Sequence, residues 1–119
     1  MGFREHLQDV VRSVDGAVAC SLMGTDGIEV DTHLVDGFEV DVRTLLIEYS
    51  SLFRSAREAA ETHQAGQPVE LCVQTDKVTT VARLVSPEYF MVVALRPEGN
   101  FGKARYLLRV TAPKLLAEL

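Results

Sequence analysis

A glycine-rich loop near the C-terminus is the first segment of this sequence whose residue types could bind a ligand. Gly99–Lys103 (GNFGK) follows a strand-like run and precedes a helix-like one, which is the setting of a phosphate-binding loop. A Walker loop also has a Gly five positions before its second Gly and a Ser or Thr after the Lys, where this chain has Pro97 and Ala104. The sequence therefore predicts a helix start with Asn100 as N-cap.

The residue types that most often act as metal ligands, nucleophiles or general bases are scattered. His6, His33 and His63 fall in a helix, a hairpin and a helix end, without metal-ligand spacing. Cys20 and Cys72 each lie inside a strand pattern and form no Cys-x-x-Cys pair, which favours structural reduced thiols. No Gly-x-Ser-x-Gly motif is present. We therefore assign no catalytic, metal-binding or cofactor-binding residue.

An acidic run surrounds the second strand-like segment. It consists of Glu29, Asp31, Asp36, Glu39 and Asp41. Two interpretations stay open: a solvated charged face, or a docking surface for a basic patch on a partner.

The composition limits the class of protein. A chain of 119 residues with 47% hydrophobic residues predicts one domain over residues 1–119 with its own core. The net charge of −5 and the lack of a basic stripe argue against nucleic acid or an anionic membrane as the main partner. No apolar run approaches the roughly 18 residues that span a bilayer, and the first residues lack a signal peptide's apolar segment. We expect a cytoplasmic protein without membrane insertion.

The hydrophobic pattern predicts the order helix, two strands, helix, three strands, helix, an α+β layered architecture. Asp41 is expected to cap the long second helix, and short turns make the sheet mainly antiparallel. Pro113 either kinks the last helix or lies in the first turn of a short terminal helix. The predicted ranges are 3–13, 17–23, 28–32, 41–63, 70–74, 79–84 and 89–95 before that last helix.

The strands differ in the polarity of their two sides. Residues 17–23 and 89–95 are apolar on both sides, which predicts neighbouring central strands covered by helices on both faces. The strand Glu70–Gln74 alternates between polar and apolar residues. Its side with Glu70, Cys72 and Gln74 is the more polar, which predicts an edge strand. An edge strand can pair with a partner.

The second helix has an apolar arc and a stripe of small polar residues. The stripe consists of Thr44, Ser51, Ser55 and Thr62, and a symmetric partner helix could pack on it while edge strands pair. An ordinary polar face is the alternative. The apolar arc spans about 140° at 100° per residue and is expected to pack on the sheet. Its members are Leu45, Leu46, Tyr49, Leu52, Phe53, Ala56, Ala59 and Ala60.

The outer side of the same helix carries charged residues around one apolar side chain. Arg43, Arg54 and Arg57 are expected to be exposed, with a solubilising role favoured over that of an arginine finger. Ile47, among Arg54, Glu58 and Glu61, is an exposed apolar residue that a partner could use. The candidate partner-binding residues are Arg43, Ile47, Arg54 and Glu58.

This order of elements resembles the roadblock/dynein light chain family. The hairpin Ala19–Val30 with its Asp26-Gly27 turn, the long second helix, the turn at Val73–Lys77 and the helix start at Gly99–Arg105 carry the resemblance. It implies a profilin-like five-stranded sheet, with the long helix on one face and the terminal helices on the other. It also implies a homodimer made by the third strand and second helix, for which the candidate residues are Thr44, Ser51, Ser55, Thr62, Glu70, Cys72 and Gln74.

The resemblance further implies a function. Family members are regulators or scaffolds of Ras-like GTPases, and a bacterial branch activates a GTPase of cell polarity and motility by reshaping the GTPase's own site. We therefore expect a non-enzymatic homodimeric regulator or binding platform for a small Ras-like GTPase, without a cofactor. The alternative is a structural adaptor of a larger complex that does not affect nucleotide turnover. A small enzyme or ligand sensor using a pocket near Gly99–Lys103 is a third hypothesis.

Overall fold

A computed structural model describes residues 2–119, and five strands in that range form one antiparallel sheet. The order across the sheet is β2-β1-β5-β4-β3, so β1 and β5 are central neighbours and β3 is an edge strand, as predicted. The strands are β1 (Ala17–Gly24), β2 (Glu29–Leu34), β3 (Glu70–Gln74), β4 (Thr79–Ser86) and β5 (Tyr89–Leu95).

Three helices among the described residues pack on this sheet: α1 (Phe3–Ser13), α2 (Val42–Thr62) and α3 (Phe101–Glu118). Both predicted N-caps are present. Asp41 Oδ1 accepts a hydrogen bond from the Thr44 N–H at 3.3 Å, and Asn100 Oδ1 accepts one from the Lys103 N–H at 3.1 Å. Such caps satisfy N–H groups that the first turn of a helix leaves without a partner.

The sheet separates two hydrophobic cores. On one face, Leu22 and Met91 of the central strands pack with α1 and α3. On the other face, Met23 and Phe90 pack with α2, and the Phe53 ring stacks on Phe90 with 5.0 Å between ring centroids. The two central strands are thus apolar on both faces because helices cover both faces. The expected arrangement of helices is confirmed.

Helix α2 is rotated relative to the predicted apolar arc. Its buried residues are Val42, Leu46, Ser50 and Phe53, whereas Leu52 is 44% exposed. The buried arc is therefore turned by roughly 60° toward Ser50. A serine can face the sheet here because its hydroxyl donates to the Ile47 C=O at 2.6 Å. The expectation that Leu52 packs on the sheet is wrong.

Pro113 lies inside one continuous helix. Helix α3 runs from Phe101 to Glu118, so Pro113 does not begin a separate terminal helix. Proline lacks an N–H and leaves the C=O four residues earlier without its helical partner, a loss that tertiary packing must offset. Ala112 and Leu115, on either side of Pro113, are both buried and supply that packing.

We predict that Phe53→Ala lowers the free energy of unfolding by about 3–5 kcal/mol, because it removes a fully buried ring and leaves a cavity against Phe90. Leu52→Ala, one position away, should cost about 1 kcal/mol or less, because Leu52 is half exposed. Urea denaturation in dilute solution, where subunit association contributes least, measures both values. Equal losses would contradict the orientation of α2.

Candidate functional site

The open edge of β3 is the main candidate for binding a second polypeptide. The Val69 C=O accepts from the Leu84 N–H at 3.0 Å and the Thr75 N–H donates to the Val78 C=O at 3.0 Å, so odd-numbered residues face β4. The backbone N–H and C=O groups of the even-numbered residues Glu70, Cys72 and Gln74 point to the open side. A row of such groups is a template for pairing with another strand.

The side chains of β3 alternate between the two faces of the sheet. Cys72 pairs with Val81 and lies on the α3 face, together with Glu70 and Gln74. Leu71 and Val73 lie on the α2 face. The seven residues predicted as the dimer interface therefore do not share one face: those of β3 lie opposite those of α2.

The small polar stripe of α2 is exposed along its length. Thr44, Ser51, Ser55 and Thr62 are all exposed, and the Ser51 hydroxyl donates to the Glu48 C=O at 2.8 Å. Leu52 lies beside the stripe, about 160° around the helix from Arg54. Because Arg54 contacts the β1–β2 hairpin, Leu52 faces the β3 side of the sheet. Sequence reasoning missed Leu52, Leu71 and Val73 as surface candidates; the β3 alternation pointed to the last two.

The arginines of α2 are tied into the fold. Arg54 Nη1 donates to the Thr25 C=O at 3.1 Å, and Arg57 Nη1 donates to the Pro87 C=O at 2.8 Å. Both side chains are half-buried, so the expectation that they project into solvent is wrong. These bonds hold α2 against the two turns at one end of the sheet.

The remaining candidate partner-binding residues stay on the outer side of α2. Ile47 is 38% exposed and Glu58 is exposed. Arg43 is exposed, with its Nε 3.6 Å from Glu29 Oε2, a weak surface ion pair. Of the four candidates, Ile47 and Glu58 make no intramolecular polar side-chain contact within residues 2–119.

The acidic run is largely engaged within the chain. Asp31 Oδ1 accepts from Arg4 Nη2 at 2.8 Å, Glu29 Oε2 accepts from the Thr32 hydroxyl at 2.8 Å, and Asp41 caps α2. Only Asp36 and Glu39 of the run make no side-chain hydrogen bond or ion pair in the described part of the chain. A docking role for this run would depend on those two carboxylates.

The glycine loop before α3 packs against the α1–β1 turn. The Asn100 N–H donates to the Asp15 C=O at 2.9 Å, and the Arg96 N–H donates to the Gly16 C=O at 2.8 Å. A Cβ added at Gly16, whose φ is +85°, would lie 2.5 Å from the Gly99 Cα. The glycines thus permit two turns to touch. This close packing, rather than phosphate binding, explains why glycines occur in the loop.

The histidines and acidic residues do not converge on a metal site. No group of three or more His, Cys, Asp or Glu side chains that could hold a metal ion occurs within residues 2–119. His6 is a buried residue of α1, His33 is half-buried in β2 and His63 is the C-cap of α2. No helix in the same range is long and apolar enough to span a membrane.

The two cysteines have different surroundings. Cys20 is fully buried in β1, and burial raises the pKa of its thiol to about 12. Cys72 is exposed on β3, where partial burial and the Glu70 carboxylate raise the pKa of its thiol while Arg105 opposes them. Both shifts disfavour the thiolate, the form that acts as nucleophile and metal ligand.

A basic cluster forms that the sequence pattern did not show. Arg83 of β4 and Arg105 and Arg109 of α3 line one open cavity on the α1/α3 face of the sheet, together with Glu70 and Tyr106. The sequence has no basic stripe, but folding brings together arginines from separate elements.

Solved structures identify the family. The chain is 55% identical to MglC from Myxococcus xanthus, with 100% of both chains covered and a TM-score of 0.73. A Roadblock/LC7 domain from Streptomyces avermitilis matches 97% of this chain and 95% of its own, with 15% identity and a TM-score of 0.83. The gliding protein MglB from Thermus thermophilus matches 97% and 86%, with 14% identity and a TM-score of 0.83.

The fold and these matches define the class: the chain belongs to the roadblock/LC7 family, as the sequence resemblance predicted. Within that family it is similar over its whole length to MglC, whereas the matches at 14–15% identity show the fold alone. No family model and no curated protein sequence matches the chain.

We predict that the native protein has one thiol that reacts with Ellman's reagent at pH 8 and one that reacts only after unfolding. Cys72 is accessible, whereas Cys20 is buried and its raised pKa suppresses the thiolate. Absorbance in native buffer and then in urea measures both. Cys72→Ser is the control and should remove the native reaction alone. Equal native reactivity of both thiols would contradict the burial of Cys20.

Proposed function

We propose that this protein is a cytoplasmic, non-enzymatic homodimer that serves as a regulator or binding platform for a small Ras-like GTPase, in a motility or polarity system. Family membership and the full-length similarity to MglC support this proposal. The observation that carries it is the open β3 edge next to half-exposed apolar residues on α2. The GTPase contact depends on the dimer, because the paired α2 helices would form it.

Symmetric pairing through β3 follows from its outward backbone groups. An antiparallel pair of identical strands has its two-fold axis perpendicular to the sheet, so both α2 helices stay on one side. In the register centred on Cys72, every residue whose backbone groups point to the open side is paired. Glu70 then lies opposite Gln74 of the second copy, and Cys72 lies opposite Cys72. A register that pairs Glu70 with itself is disfavoured, because like charges directly opposite destabilise a sheet.

The α2 side of this dimer would bury apolar surface. Leu52 and the β3 residues Leu71 and Val73 lie on the same side of the sheet, toward the proposed two-fold axis. The exposed serines and threonines of α2 are small, which lets two helices approach closely. Hydrophobic contact between the helices would thus add to the backbone pairing of the strands.

We predict that a short bismaleimide reagent links two copies through Cys72, because the proposed register sets that residue opposite itself. A covalent dimer on a denaturing gel is the expected result, and Cys72→Ser should abolish it. Leu52→Asp should convert the dimer to monomer in light scattering, because it puts a charge between the helices.

Leu116→Asp is the matched control for Leu52→Asp. Leu116 is similarly exposed but belongs to α3, on the face of the sheet opposite α2, so its substitution should leave the contact between the α2 helices intact. A monomeric wild-type protein at micromolar concentration would refute the dimer, and with it the platform.

The GTPase would bind the outer face of the paired α2 helices. Ile47 offers an exposed apolar contact, and Arg43 and Glu58 flank it with charges. Arg54 and Arg57 are bonded to backbone carbonyls, so an arginine finger from these positions is not part of the proposal. A platform needs only a different affinity for the two nucleotide states of the GTPase.

A structural adaptor is the second candidate. The observation that favours it is the hydrogen bond from each of Arg54 and Arg57 to a backbone carbonyl, which fixes both guanidinium groups against the turns of this chain. An adaptor would use the same dimer to join larger assemblies and leave nucleotide turnover unchanged.

We predict that Ile47→Asp weakens binding to the small GTPase of the same organism by about tenfold, because it puts a charge into an apolar contact. Binding and hydrolysis are measured with the GTPase loaded with GTP or GDP, and Leu116→Asp is again the control. State-dependent binding by the wild type supports the platform. A stable dimer that binds neither nucleotide state would refute it and favour the adaptor.

A further inference from the structure

The face of the sheet opposite α2 carries the arginine cluster, defined as Arg83, Arg105 and Arg109. Their side chains border an open cavity of about 260 Å³ between α3 and the β3–β4 edge of the sheet. One carboxylate, that of Glu70, also lines this cavity, so three guanidinium groups surround a single negative charge. This local excess of positive charge occurs in a chain whose net charge is −5.

The Glu70–Arg105 pair shows how the cluster holds a carboxylate. Arg105 Nη2 donates to Glu70 Oε2 at 2.7 Å, and Arg105 Nε donates to both carboxylate oxygens at 3.0 and 3.1 Å. This is a bidentate contact, the geometry in which a planar guanidinium binds a carboxylate most strongly. The contact also raises the pKa of the Arg105 guanidinium, which therefore keeps its charge.

The other two arginines have no such partner. Arg83 stands opposite Glu70 in the β3–β4 register, and the Arg109 guanidinium lies over the Tyr106 ring at 5.5 Å from its centroid. Neither forms an ion pair with a carboxylate of residues 2–119. Two guanidinium groups with free donors thus border the same cavity.

Exposed aromatic rings lie beside the cluster. Tyr106 is 53% exposed and Phe101 is 37% exposed, with the Arg105 guanidinium 5.7 Å above the Phe101 ring. Tyrosine and arginine are among the residues most often found at binding hot spots. Stacking on a ring also orders a guanidinium in advance, which lowers the entropy cost of binding a carboxylate.

We propose that the arginine cluster is a docking site for an acidic segment of a partner protein, which lies along the groove between α3 and β3. Its carboxylates bind Arg83 and Arg109, as Glu70 binds Arg105, and its apolar side chains contact Tyr106 and Phe101. A nucleic acid fits less well, because the acidic remainder of the chain repels a long polyanion. This site lies on the face opposite α2, so it does not depend on the proposed GTPase contact.

The test uses four fluorescein-labelled probes: a peptide of ten glutamates, a neutral peptide of ten glutamines, a serine-phosphorylated peptide and a single-stranded oligonucleotide, the last two with the charge of the glutamate peptide. Fluorescence anisotropy at about 50 mM salt measures binding, because electrostatic contacts are screened least at low salt. The full-length protein should bind the glutamate peptide and not the glutamine peptide. Arg109→Glu should weaken that binding at least tenfold, and Arg109→Gln should weaken it to a smaller extent.

Arg12→Glu is the matched control, since Arg12 is an exposed arginine on α1 whose partner is the nearby Asp9. It makes the same change in net charge and should alter affinity less than twofold. Equal losses for Arg12→Glu and Arg109→Glu would overturn the site, as would a wild type that ignores the glutamate peptide. Tighter binding of the phosphorylated peptide or of an oligonucleotide would overturn the assignment to an acidic protein segment. The α2 variants test the GTPase separately.

Discussion

The pairing of β1 with β5 through the middle of the sheet is the constraint on which the rest of the structure depends. Each of these strands sends apolar side chains to both faces, such as Leu22 to α1 and α3 and Phe90 to α2. Burial of apolar surface is the dominant favourable term in folding, so helices must cover both faces over the centre. The helices therefore pack over the middle of the sheet, and β2 and β3 lie at its edges.

The two edges are not equivalent. Strand β2 is linked to α1 by Asp31–Arg4 and to α2 by Glu29–Arg43, so both layers of helices reach it. Strand β3 has a single such link among the described residues, Glu70–Arg105 on the α3 face. Its α2 side carries Leu71 and Val73 and its backbone is open on one side. Among the described strands, β4 alone pairs with β3, so the proposed dimer uses the open side of this strand.

The sequence predicted what local patterns determine, and it missed what depends on tertiary partners. Asp41 and Asn100 were predictable caps because the bond they accept closes within three residues. The rotation of α2 was not predictable, because a serine is expected on a polar face. Ser50 can be buried only because its hydroxyl donates to a carbonyl of the same helix. Arg83 and Arg105 come together only because α3 packs on the face of the sheet to which the Arg83 side chain of β4 points.

The arginines show how the two faces acquire different binding properties. On the α2 face, Arg54 and Arg57 each donate from Nη1 to a backbone carbonyl, and the Nε and Nη2 atoms of Arg57 are buried, so these side chains hold the helix rather than a partner. On the α3 face, Arg83 and Arg109 keep free donors beside a carboxylate-binding geometry already present at Arg105. A two-fold axis perpendicular to the sheet keeps like faces together in the proposed dimer. In the proposed dimer, the GTPase would bind on the α2 side of the sheet and the acidic segment on the α3 side. The two partners would therefore not compete for one surface.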